Sequence, residues 1–262
     1  MRSAGLDLPP GYRLAFHEEI DSTNAEALRL AATGEEGGSW IWAGSQNSGR
    51  GRAGRGWVSR TGNLYASLLL RPGVPLATAS QLSLLAGVAA HDAIAALAAN
   101  ARAATHLQLK WPNDVLAEHA KLGGILLEST SSPSETEPAV VIGIGINLAH
   151  APSDLGRPAV NLAGLGISVA PGQAMAALAW SMADWLRQWD GGRRFAYIRE
   201  AWLTRAQPPG AAISVRQGAN LITGRFLGID ETGALLLETN EGQERRITAG
   251  DVSFGGAEAQ GA

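Results

Sequence analysis

The chain has 262 residues, 45% of them hydrophobic, and a formal net charge of −3, so it can bury a sizeable core but has no global attraction for nucleic acid. Its lack of cysteine excludes a disulfide framework, a thiolate nucleophile and a cysteine metal site. The N-terminus lacks the apolar stretch of a signal peptide, and no run reads as a membrane span of roughly 18 to 20 apolar residues, so a cytoplasmic protein is predicted.

Residues 1–11 read as a tail. Tyr12 to Ile20 partly alternates and predicts a strand. Asp21-Ser22-Thr23-Asn24 is a cluster of helix-capping residues ahead of the apolar-periodic A-E-A-L-R-L-A-A. Ser39 to Ser45 predicts a buried strand, and Asn63 to Arg71 a second one stopped by Pro72. Between them lies Q-N-S-G-R-G-R-A-G-R-G-W, from Gln46 to Trp57, where Arg50, Arg52 and Arg55 alternate with glycines. Backbone N–H groups and guanidinium forks in such a loop suit phosphate or carboxylate. A mobile surface loop is the other reading of this stretch taken alone.

Ala77 to Asn100, with Asp92 as its single charge, predicts one long core helix. Leu107 to Trp111 and Lys121 to Ser129 read as strands, the first entering a Pro-Asn-Asp turn. Ser131 to Pro138 reads as a polar turn, and Ala139 to Leu148 as an apolar central strand. Ala151 to Gly172 is loop-rich, and Gln173 to Arg205 is mostly helical, with Trp180, Trp185, Trp189 and Trp202 available for packing. Pro208-Pro209-Gly210 marks a boundary. Short alternating strands follow, predicting a small β-barrel over residues 208–256 and a disordered tail over 257–262. The fold class is α+β: over residues 12–207, a mixed sheet flanked by helices.

Several motifs fail. G-I-G-I-N-L at Gly143 to Leu148 has leucine where a dinucleotide fingerprint needs its third glycine, and no helix opens there. There is no P-loop and no G-x-S-x-G, and the five histidines are dispersed, which argues against a protein-held metal. Of 21 Lys plus Arg residues, only Lys110 and Lys121 are lysines. A lysine is a compact point charge that reaches one oxygen from a narrow pocket, so these two are candidates for chemistry.

G-R-G-R-A-G-R-G-W, K-W-P-N-D, K-L-G-G-I-L and G-I-G-I-N-L, in this order, resemble the biotin–protein ligases over nearly the whole chain. The resemblance implies a catalytic domain akin to class II aminoacyl-tRNA synthetases over 12–207, followed by an SH3-like barrel. It implies a reaction in which biotin and MgATP give biotinyl-5′-AMP and pyrophosphate. The biotinyl group then passes to a lysine of a biotin carboxyl carrier protein. By the same resemblance Ser22, Thr23, Asn24 and Gln46 meet the ureido end of biotin, while Arg50, Gly51, Arg52 and Arg55 line the adenylate site. Trp57 walls the nucleotide side. Lys121 contacts the biotin carboxyl, with Asn113 and Gly124 nearby and Asp114 as an orienting or basic partner of the acceptor lysine. Asn147 completes the nucleotide pocket. Lys121, Arg52 and Asp114 are the implied catalytic set, and magnesium is expected with ATP rather than on protein ligands.

Ala53 departs from the resemblance, standing where the family loop often carries another basic residue. Residues before Tyr12 cannot form the winged helix-turn-helix of bifunctional members, so DNA is not an expected partner, and a membrane is not either. A monomer and a homodimer both fit. Lipoate or octanoate ligases form the runner-up class, and they lack this Arg/Gly loop.

Overall fold

A computed structural model describes residues 5–130, 138–153 and 158–254. Strand β1 (Arg13–Ile20) leads through helix α1 (Thr23–Ala32) to β2 (Ser39–Gln46), which lies parallel to β1. Ser22 caps α1: its backbone is extended (φ −158, ψ 132) and its hydroxyl accepts from the Ala25 N–H at 3.4 Å. Strands β3 (Leu64–Leu70), β4 (Leu107–Lys110), β5 (Asp114–Ala117), β6 (Ala120–Ser129) and β7 (Val140–Ile146) complete a seven-stranded mixed sheet in the order β1-β2-β3-β7-β6-β5-β4. β3 and β7 are buried on both faces and read as near-continuous apolar runs.

One face carries α1, through Ala27, Ala31, Ile41, Leu69 and Val141. The other carries the larger core, built with α3 (Leu82–Asn100), α4 (Pro171–Trp189) and α5 (Phe195–Leu203). The single helix predicted from Ala77 is instead a short α2 (Leu76–Ala79) followed by α3. At the junction the N–H groups of Gln81 and Ser83 bond three residues back, to Thr78 and Ser80, and the Ser80 hydroxyl donates to the Ala77 carbonyl at 2.7 Å. Leu76–Asn100 is also long and apolar enough to cross a membrane, which corrects the expectation that no such run exists. It is a core helix: Leu82, Leu85 and Val88 have no exposed surface. Of the four tryptophans in the helical stretch, Trp189 and Trp202 are buried, whereas Trp180 is 41% exposed.

The sequence assigned nothing between the Pro-Asn-Asp turn and Lys121, and β5 lies there. β5 and β6 are joined by a two-residue hairpin turn in which Glu118 (φ 49) and His119 (φ 64) are both left-handed. That geometry is usually signalled by Asn-Gly, and here the signal is missing.

After Gly210 (φ 90), strands β8 (Ala212–Gln217), β9 (Asn220–Ile229), β10 (Leu235–Thr239), β11 (Glu244–Ile247) and β12 (Asp251–Phe254) form an antiparallel sheet in the order β11-β10-β9-β8-β12. Its apolar face joins the main core through Ile213, Val215, Phe226 and Leu235. Two polar bonds add to the junction: Trp111 Nε1 donates to the Gly233 carbonyl at 3.0 Å and Arg199 Nε to that of Ile229 at 2.6 Å. The β-domain is thus seated on the sheet's outer end. Most of the predicted polar turn at Ser131 to Pro138 and the predicted tail lie outside the described residues.

Candidate active site

A cavity of about 1160 Å³ opens between the large sheet and the C-terminal β-domain. Its lining includes Ser22, Thr23, Asn24, Gln46, Arg50, Gly51, Arg52, Arg55, Trp57, Asn113, Asp114, Lys121 and Gly124. Residues from separate stretches of sequence therefore meet at the strand ends and loops.

The loop after β2 is a closed turn rather than a free strap. The Gly51 N–H donates to the Arg55 carbonyl at 2.7 Å, and the Trp57 N–H to that of Gly49 at 2.9 Å. Ala53 sits at the tip with φ 54, a left-handed conformation that a residue with a Cβ adopts at some cost. Arg55 reaches the C-terminal domain, its Nη1 and Nη2 each 3.0 Å from an Asp251 carboxylate oxygen. Arg50 donates to Glu128 at 3.2 Å. Arg52 donates to the Asn113 side chain at 3.3 Å, and burial pushes its guanidinium below its usual pKa, an effect opposed by Asp251 and Asp114. A half-buried, weakly neutralised cation facing a cavity favours an anion there.

Both lysines of the chain come to one point. Asp114 is 5% exposed and accepts from Lys121, itself 7% exposed, while Lys110 Nζ lies 3.2 Å from its other oxygen. Asn113 fixes the turn that carries this carboxylate: its side chain donates to the Ile125 carbonyl at 2.5 Å and its own carbonyl accepts the Ile125 N–H at 2.9 Å. Trp57 lies against the backbone of Gly145, where a Cβ would come within 2.6 Å of the indole, and Lys121 Nζ is 5.2 Å from its ring centroid. The indole N–H is buried and has no acceptor among the described residues.

The far end of the cavity is neutral and polar. The Thr23 N–H donates to Gln46 Oε1 at 2.8 Å, and Gln46 Nε2 donates to the Ser59 hydroxyl at 2.8 Å. Behind them Ser67 touches Thr23 and Asn24.

Asn147 is not brought into the cavity. It is 3% exposed, and its side chain donates to the carbonyls of Val160 at 3.1 Å and Lys121 at 3.5 Å, so it braces the backbone behind Lys121. The barrel arginines Arg245 and Arg246 also do not line it; Arg246 pairs with Asp230. Arg216 and Asp251, from neighbouring strands of the C-terminal domain, line it instead. Neither stood out in the sequence, because each sits on an ordinary alternating strand. The one usable signal for Glu128 was a lone acid at the end of the apolar run K-L-G-G-I-L-L-E. Among the described residues no group of three His, Cys, Asp or Glu side chains converges to hold a metal.

The sequence matches the biotin/lipoate A/B protein ligase family over residues 16–147 and the biotin protein ligase C-terminal domain over 210–255. A biotin–[acetyl-CoA-carboxylase] ligase of Paracoccus denitrificans is 44% identical over 243 residues, covering 90% of this chain and 98% of that one. A protein of the same name from Mycobacterium tuberculosis is 34% identical, over 89% of this chain and 86% of its own. The biotin protein ligase of Aquifex aeolicus, solved with biotin and ATP, superposes with a TM-score of 0.74 at 28% identity, covering 92% of this chain and 97% of the other. Sequence, fold and the order of the cavity's motifs agree, and the chain belongs to the biotin/lipoate A/B protein ligase family.

Proposed function

We propose that this chain is a biotin–protein ligase, which adenylates biotin with ATP and transfers it to a lysine of the biotin-carrying subunit of a carboxylase. The observation that carries the reading is the two-ended cavity: a neutral hydrogen-bonding pocket at Ser22, Thr23 and Gln46, and a cationic end at Arg52 and Lys121. A cyclic urea fits the first, and a carboxylate meeting a nucleotide phosphate fits the second. Relatives named for the same ligation support it.

In the first step the biotin carboxylate attacks the α-phosphorus of ATP, the mixed anhydride forms, and the bond to pyrophosphate breaks. Lys121 and Arg52 stabilise charge on the oxygens at this centre, and being preorganised they cost little reorganisation. Asp114 holds Lys121 in place, so we assign it the orienting role. Among the described residues, both acids lining the cavity, Asp114 and Asp251, are engaged by cations, which leaves no free carboxylate set for magnesium there; the ion fits as a companion of the nucleotide phosphates. The Arg/Gly turn acts as a lid that keeps water from the acyl-adenylate. In the second step the carrier's neutral lysine amine attacks the acyl carbon; the amide forms, AMP leaves, and the amine proton passes to a base.

With purified protein and MgATP, biotin is expected to trigger pyrophosphate release, followed by labelling of a carrier domain. Labelling with lipoate or octanoate but not with biotin would overturn the assignment.

A further inference from the structure

The neutral end of the cavity contains a chain of hydrogen bonds whose direction follows from proton counting. Asn24 Nδ2 faces two acceptors, the Glu128 carboxylate at 2.7 Å and the Leu126 carbonyl at 3.3 Å. This fixes the amide orientation, with Oδ1 facing Ser67 Oγ at 2.5 Å. Ser67 has one hydroxyl hydrogen and no exposed surface, and Asn24 Oδ1 can only accept, so that hydrogen goes to Asn24. The Thr23 hydroxyl lies 2.7 Å from Ser67 Oγ and 3.1 Å from Gln46 Oε1; its single hydrogen is required by the shorter Ser67 pair, so Thr23 Oγ1 and Gln46 Oε1 face each other as two acceptors. Gln46 is fixed from its other side. Its Nε2 donates to Ser59, whose own hydroxyl donates to the Trp57 carbonyl at 2.9 Å, and its Oε1 accepts the Thr23 N–H. Thr23 Oγ1 and Gln46 Oε1 thus retain free lone pairs, and both residues line the cavity.

We infer that Glu128 is the positioning residue that sets this polarity: it holds Asn24 and Arg50 through one carboxylate oxygen, so the pocket offers acceptors to a ligand bearing two N–H donors. The same oxygen takes Arg50 Nη2 at 3.2 Å, which ties the Arg/Gly turn to the pocket's orientation. Gly143 permits the arrangement, since any Cβ there would strike the Asn24 amide. A ligand with N–H groups on both sides of one carbonyl, the cyclic urea of the proposed substrate, suits such a wall. A ligand offering only acceptors there does not.

The inference rests on the biotin reading, which wild-type protein tests by itself through biotin-dependent pyrophosphate release. Asn24→Asp sets a carboxylate against Glu128 and the Leu126 carbonyl, and is expected to raise the KM for biotin about 10- to 100-fold with the KM for ATP changed less than about 3-fold. Adding Glu128→Gln supplies an N–H to the introduced carboxylate and leaves its other oxygen as the acceptor toward Ser67. The double variant is expected to recover biotin KM by about tenfold relative to Asn24→Asp. A merely structural contact shows itself as loss and recovery of melting temperature with the biotin KM unmoved, because relieving two facing carboxylates then restores only the fold. A double variant no better than Asn24→Asp overturns the inference. If Asn24→Asp does not fold, Ser67→Ala breaks the same chain while leaving Glu128 and Asn24 in place; an unchanged biotin KM in that variant also overturns it.

Discussion

Asp114 is the shared anchor of one buried and one partly buried ammonium group, and that asymmetry makes stability and activity separable. Asp114→Asn keeps the shape but leaves Lys110, which is 3.2 Å away, and Lys121 both facing a neutral amide. Breaking a buried ion pair from one side costs about 3–5 kcal/mol. Lys121→Met leaves Asp114 still paired with Lys110, so the lost interaction is closer to one charged hydrogen bond, about 1.5–3 kcal/mol, partly offset by the buried methionine. At roughly 2–4 °C per kcal/mol for a chain of this size, Asp114→Asn should lower the melting temperature by about 6–20 °C and Lys121→Met by clearly less. Activity should rank them differently. Lys121→Met removes the cation at the reacting centre and is expected to lower biotin-dependent pyrophosphate release by about 100-fold or more. Lys121→Arg keeps the charge, but the lysine is 7% exposed, bonds Asp114 and lies 5.2 Å from the Trp57 ring centroid, so a bulkier planar guanidinium cannot place its charge at the same point. It should fall nearly as far. Calorimetric melting and a pyrophosphate assay on the three variants decide the matter. Equal melting losses for Asp114→Asn and Lys121→Met, or near-normal turnover by Lys121→Arg, would mean that Asp114 is not the shared anchor or that Lys121 acts by charge alone.

Gly145→Ala places a methyl within 2.6 Å of the Trp57 indole, and the overpacking should cost about 1–3 kcal/mol, read as a lower denaturation midpoint; an unchanged midpoint means the ring is not seated there. The Arg55–Asp251 pair is about half exposed on both sides, so a double-mutant cycle should give a coupling of no more than about 1 kcal/mol, weakened by salt. Asp251→Asn should nevertheless speed tryptic cleavage at Arg50, Arg52 or Arg55, because the turn loses its tie to the C-terminal domain; identical cleavage rates would remove that tie as a determinant of loop order. A hydrogen bond from Arg29 is the main cause holding Asp21 at about 2, down from 3.8, so its contribution is present above the unfolded value and lost as the pH falls toward 2. The pair is about half exposed, which keeps the effect below about 1 kcal/mol: Asp21→Asn should lower stability slightly at neutral pH, leave it unchanged near pH 2, and so flatten the rise between the two.

Local chemistry was enough to read the strand–loop–strand frame of the Arg/Gly turn, the Ser22 cap and the α+β class from the chain alone, since each depends on periodicity or on neighbouring residues. The rarity of lysine singled out Lys110 and Lys121, and both converge on Asp114. The hairpin after β5 was illegible because Glu118 and His119 take left-handed conformations without the glycine or asparagine that announces them. Asn147 matched a motif, yet burial turned it toward the backbone behind Lys121 rather than into the cavity. The remaining partners are matters of distance along the chain: Arg50 meets Glu128 across 78 residues, Asn24 meets it across 104, and Arg55 meets Asp251 across 196. Which residues could bind an anion, and which elements would carry them, was already written in the local order of the chain. Which acid neutralises which cation, and which way the pocket's hydrogen bonds run, follows from sheet order and from how the C-terminal domain is seated, neither of which local sequence encodes.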